Sequence, residues 1–139
     1  MQLNGVTQTH EGWPHGNCVQ ASYATLFDCP IECIPRFDPA SIGQQKQGDL
    51  EREWLASLGF DLVEIAVSSN QELPQDVLDT VEDEWPMPHL ISGMSPRGFG
   101  HRCVGIGGQV AWDPHPSRAG LVHVYSIGLI VPAAEVELW

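Results

Sequence analysis

Apolar positions follow a helical rhythm in the first half of the chain and a strand rhythm in the second. Residues 18–27 (CVQASYATLF) are small and apolar on most sides, through Val19, Ala21, Ser22, Ala24, Leu26 and Phe27. That is the composition of a buried helix. It opens after the glycine-containing turn HGN, with Asn17 placed as its N-cap, and Pro30 stops it. The stretch CPIECIPRFDP then predicts a short helical turn and a loop. In DLEREWLASLGF, Leu50, Trp54, Leu55 and Leu58 recur at helical spacing and Gly59 follows as the stop. The β-branched run DLVEIAV predicts a strand, and LPQDVLDTVEDEW a weaker helix. Beyond residue 86 the chain breaks into four short apolar runs, MPHLISGM, GHRCVGIG, QVAWDP and VHVYSIGLIV, divided by Gly and Pro. They predict antiparallel strands, with a hairpin at Gly107-Gly108. An early buried helix packed on a later antiparallel sheet makes the expected fold class α+β. The length of 139 residues suits a single domain spanning 1–139.

This pattern places three reactive residue types at telling points. Cys18 stands where the first predicted helix begins, and unpaired N–H groups and the helix dipole there lower a thiol pKa. His101 opens a predicted strand, and Asp113 ends the next strand of the same hairpin. Neighbouring antiparallel strands bring such side chains together, so Asp113 would orient His101, which would serve Cys18 as its base. Gln8, on the extended approach to Cys18, is the candidate oxyanion donor beside the Cys18 backbone N–H. Around this constellation Arg97, Trp13, His115 and Trp112 are candidate substrate-binding residues. Arg97 lies in the loop SGMSPRG just before His101, and the other three lie close to triad members in sequence. The remaining cysteines, Cys29, Cys33 and Cys103, read as packing.

The combination resembles the papain-like superfamily of cysteine hydrolases. Within it the chain is most similar to the bacteriocin-processing, double-glycine-leader peptidase domains and to small phage and bacterial proteins of similar size. In those proteins a Gln precedes a Cys that starts a buried helix, a His begins a strand, and an Asp-Pro pair ends the next. The matching positions are Gln8, Cys18, His101 and Asp113-Pro114, and the likeness covers roughly residues 5–30 and 90–116. The interval from Gln8 to Cys18 is longer than in those peptidases, and the stretch THEGWPHG takes up the difference. The resemblance implies a papain-like fold and a Cys-His-Asp hydrolase acting on an amide, isopeptide or thioester, without a cofactor. It also implies a rival: a catalytically idle papain-like protein of phage type that inhibits or decoys a host factor.

Charge narrows the partners. Six basic residues against eighteen acidic ones give a net charge of −12, which opposes nucleic-acid phosphates and anionic membranes. A peptide or small amide remains, with the acidic balance leaning toward cationic ligands. The N-terminus MQLNGVTQTHEG has no basic, apolar leader and no stretch is long enough to span a membrane, so the expected compartment is the cytoplasm (the host cytoplasm for a phage protein). There all four cysteines would be thiols. Zinc held by Cys29 and Cys33 with His10, His15 or His115 is the competing chemistry, but Pro30, Ile31 and Ile34 make that segment a packed turn, and no metal site is assigned. No pattern fixes the oligomeric state.

Overall fold

The computed structural model describes residues 3–12, 16–37, 44–66 and 74–133, with side chains of the second helix from residue 47 onward. Helix α1 spans Cys18–Phe27, a 3-10 turn Ile31–Cys33, α2 Gln44–Ser57, β1 Phe60–Ala66, α3 Gln75–Glu84, β2 His89–Met94, β3 Gly100–Ile106, β4 Gln109–Trp112 and β5 His123–Pro132. The five strands form one antiparallel sheet in the order β1-β5-β2-β3-β4. This is a mixed helix-and-sheet architecture consistent with the expected α+β class. The sheet also recruits β1 from before α3, and β5 lies in its interior, paired on both sides. Among the described residues no helix is long and apolar enough to cross a membrane.

Helices cover both faces of the sheet rather than one. Tyr23 and Ala24 of α1 and Leu55 of α2 cluster with Leu62 and Leu90, and Ile130 packs against them. Val81 of α3 clusters with Ile127, joined by Ile65 and Leu129. Ile130 therefore faces one layer while Ile127 and Leu129 face the other, as strand alternation requires. Tyr23 is fully buried and edge-packed on Trp54, with ring centroids 5.2 Å apart. The small side chains of α1 allow this close approach. Two apolar positions of the second predicted helix point elsewhere, since Leu50 and Leu58 are exposed.

Local chemistry sets the turns. Gly107 and Gly108 both take positive φ, +63° and +79°, as a tight hairpin of this hand needs. At Gly93 a Cβ would stand 1.8 Å from the His123 carbonyl oxygen, so only glycine fits where β2 slips register against β5. The interior also carries a charge. Glu51 of α2 pairs with Arg102 of β3 and accepts a 2.7 Å hydrogen bond from Tyr23, while Arg102 Nε donates to Ser92 Oγ at 3.1 Å. The Glu51 side chain is 4% exposed. Burial and the neighbouring carboxylate push the Tyr23 phenol well above its usual range, so it stays a donor.

Breaking one side of a buried ion pair leaves an uncompensated charge and costs about 3–5 kcal/mol, whereas an exposed pair contributes about 0–1 kcal/mol. Urea unfolding of Glu51→Ala should therefore show a loss in the first range. Arg52→Ala, which removes the half-exposed Arg52–Glu64 pair, should stay in the second. Equal losses would contradict the role given to the buried pair.

Candidate active site

Three elements converge at one end of the sheet. Strand β4 pairs with β3 only at Val104, Gly105 and Ile106, and α1 docks beside the part of β3 left open. Ser22 Oγ donates to the Arg102 carbonyl at 3.3 Å, and the Arg102 backbone N–H helps lower the Cys18 thiol pKa. This sets the first residue of α1 against the start of β3, next to His101.

Asn17 occupies the position expected of an N-cap, but its side chain does not cap the helix. Its Oδ1 instead accepts from the backbone N–H groups of Thr9 and His10, at 3.0 and 2.9 Å. Its Nδ2 donates to Thr9 Oγ1 and to Gln20 Oε1. Asn17 thus ties the approach segment to the helix start. The first N–H groups of α1 receive no side-chain cap from it.

The placement of Asp113 depends on a bulge. Val104 pairs with Trp112 and Gly105 with Val110, so Ala111 is an extra residue in β4. A slip of one residue reverses the face taken by everything beyond it. In an unbroken register Asp113 would fall opposite Arg102. With the bulge it falls in step with Cys103 and His101, whose ligating atoms lie within 4.8 Å of its own and of each other. His101 Nε2 donates to Asp113 Oδ1 at 2.6 Å, and both side chains are almost fully buried. This leaves Nδ1 as the ring nitrogen for a thiol.

The Asp113 carboxylate is saturated with donors. Besides His101 it accepts from the backbone N–H of His115 at 2.9 Å and of Gly120 at 2.7 Å. Burial works against the charged form, but these three hydrogen bonds win and carry its pKa down to about 2. The loop from 113 to 120 is braced for this. Arg118 donates to the carbonyls of Asp113 and His115 and to Thr7 Oγ1, and its guanidinium lies 4.1 Å over the Trp112 ring.

His101 is also buried, which alone would lower its pKa. Hydrogen bonds to Asp113, Cys103 and Cys18 reverse this and raise it to about 11. Burial would raise the Cys18 thiol, but the His101 hydrogen bond and charge, the Arg102 backbone N–H and the Arg102 charge bring it below its ordinary value of 9.0. The pair therefore favours thiolate and imidazolium over thiol and imidazole. Cys103 is raised, chiefly by burial, and stays a thiol.

Cys18, His101, Gln8, Arg97 and His115 all line one cleft of about 360 Å³. Gln8 is buried, and its Nε2 donates to the His10 carbonyl at 2.7 Å, while its Oε1 has no partner among the described residues. His115 bonds Ser117 through Nδ1 and Glu11 through Nε2. Burial and the charge of Arg97 lower its pKa. Trp112 is not among the lining residues; it packs against Gly5 and donates Nε1–H to the Val6 carbonyl. Trp13 and His15 lie outside the described residues.

The other cysteines divide. Cys29 packs at the edge of the core. Cys33 is exposed, so the packing expected for it does not hold. Cys103 is in the core yet also touches His101, a contact foreshadowed only by its spacing two residues on along the same strand. Arg102 was equally unmarked in the sequence; the signal was a basic residue inside an apolar strand run. Among the described residues, the group that could hold a metal is His101, Cys103 and Asp113. Two ligands of one tetrahedral zinc stand about 3.3 Å apart, given bonds of about 2.0–2.2 Å. The 2.6 Å His101–Asp113 contact is a hydrogen bond instead. No family model, no curated protein and no solved structure matches the chain.

The pKa shifts give a pH signature. Asp113 falls from 3.8 to about 2 on folding, so its stabilisation is present above pH 3.8 and lost as pH falls through about 2. His101 rises from 6.5 to about 11, so its stabilisation is full below 6.5 and lost as pH rises through about 11. The difference in unfolding free energy between the wild type and Asp113→Asn should thus be greatest between about pH 4 and 6.5. It should shrink toward both extremes, as urea titrations at a series of pH values would show. A difference independent of pH would refute the coupling.

Proposed function

We propose that the protein is a cysteine-dependent acyl hydrolase of papain-like fold, acting on an amide, isopeptide or thioester. The observation that carries this reading is a thiol at a helix start, lowered by a histidine whose far nitrogen is held by a buried carboxylate, all opening on one cleft. A merely structural cysteine has no need of such an arrangement.

In this reading the Cys18 thiolate attacks the acyl carbon and the C–S bond forms as the carbonyl electrons move onto oxygen. The Cys18 backbone N–H receives the oxyanion, with the second N–H of the Gln8 amide as its partner. The tetrahedral species collapses, the bond to the leaving group breaks, and His101 Nδ1 gives its proton to the departing amine or thiolate. His101 then takes a proton from water, which attacks the thioester and releases the acid and Cys18. Asp113 stays ionised throughout, fixing the ring and offsetting the imidazolium charge. An amine in place of water turns the same parts into a transferase.

A simple activated ester tests the nucleophile without knowledge of the natural substrate. With 4-nitrophenyl acetate the protein should release a burst of nitrophenolate and carry an acetyl group on Cys18, read by mass spectrometry. Cys18→Ala should abolish the burst, and His101→Ala should slow it about 10²–10⁴-fold, the usual range for a positioned proton-transfer group. A burst that survives Cys18→Ala, or an acetyl group found only on exposed Cys33, would overturn the proposal.

A further inference from the structure

The Asp, Glu, Lys and Arg residues found among the described lining of the cleft are all basic, although the chain is acidic. Three of the six basic residues, Arg36, Arg97 and Arg102, line it, and none of the eighteen acidic residues is among the described residues that do so. Among the described residues, the carboxylates that pair with site residues are already engaged. Glu51 holds Arg102, Asp113 holds His101, and Glu11 bonds His115. Arg97 differs: its guanidinium donates to the neutral Ser117 hydroxyl at 3.1 Å, and no ion pair involves it among the described residues. A tight turn holds it at the rim, where Gly98 N–H donates to the Ser95 carbonyl and Ser95 N–H to the Phe99 carbonyl. Gly98 takes φ +86° there. The charge of Arg97 reaches across to His115 on the facing loop.

From this arrangement, and resting on the Cys18 hydrolase reading, we propose that the acyl donor carries a carboxylate, held at the rim of the cleft by Arg97. Arginine suits the task because its planar fork matches a carboxylate. The polar and apolar walls at Asn17, Gln20 and Phe37 would enclose the rest of the donor. A net charge of −12 favours cations at long range, but surface charges beyond about 8–10 Å are largely screened at physiological salt. The charge of Arg97 at the rim therefore weighs more in what is held there than the distant surface charge. Arg97 is exposed, and an exposed guanidinium and carboxylate attract enough to change a rate by about two- to fivefold.

Two thiol reagents identical except for the carboxylate, 3-maleimidopropionate and 3-maleimidopropionamide, read this out on the intact protein. The ratio of their rates at Cys18 is compared with the ratio at exposed Cys33 in the same chain, by peptide mass spectrometry. The acid-to-amide ratio should be about two- to fivefold higher at Cys18. It should fall to the Cys33 value in Arg97→Gln and be partly restored in Arg97→Lys. A ratio no higher at Cys18 than at Cys33, or one unchanged in Arg97→Gln, overturns the inference while leaving the nucleophile in place. If Cys18 reacts with neither reagent, the hydrolase reading falls. The anion site is then decided by NMR titration of the ¹⁵N-labelled protein with N-acetyl-β-alanine and its carboxylate-free amide, N-acetyl-β-alaninamide. Shifts around Arg97 with the acid alone support it, and equal shifts with both overturn it.

Discussion

Asp113 is a buried carboxylate that stays charged, and the surrounding structure is arranged to make that possible. A charge taken out of water must be paired and hydrogen-bonded. Here His101 and the backbone N–H groups of His115 and Gly120 supply the partners. To point those N–H groups inward the loop must coil back on the strand end, and Arg118, with a positive φ of 52°, bridges its carbonyls to Thr7. The same loop fixes the approach to Cys18, since the Gln8 N–H donates to the Pro114 carbonyl at 2.9 Å. The carboxylate therefore orients the His101 ring, and its loop ties residues 7–8 to the end of β4.

A second buried charge system sits behind the first. Arg102 faces Glu51 and Ser92 with its guanidinium and Cys18 with its backbone N–H. The residue that anchors α2 to the sheet thus also stabilises the thiolate. The alternation of β3 separates the two roles, with His101 and Cys103 on one side and Arg102 and Val104 on the other.

Much of this was legible in the sequence wherever the cause was local. The bounds of α1 follow from its small apolar residues between a glycine turn and Pro30, and the β3–β4 hairpin follows from Gly107-Gly108. The ordering of Cys18, His101 and Asp113 along predicted elements indicated a possible site. What was not legible depends on distant partners. The Ala111 bulge, which decides the face of Asp113, leaves no composition signal. The Glu51–Arg102 pair joins residues far apart in the chain, and nothing in the local pattern of α2 sets Glu51 apart from its other polar residues. Asn17 has the residue type of a cap but spends its side chain on Thr9 and His10. Net charge described the surface and was silent on the cleft, where the arginines gather.

The central claim is that Cys18 and His101 rest as a thiolate–imidazolium pair sustained by Asp113. The most direct measurement is the titration of the His101 ring by ¹H–¹⁵N NMR in the wild type and in Cys18→Ala. The account predicts a ring protonated on both nitrogens at neutral pH, losing its proton only toward pH 11, and a lower pKa once the Cys18 sulfur is removed. A ring that titrates near 6.5 in both proteins would contradict it.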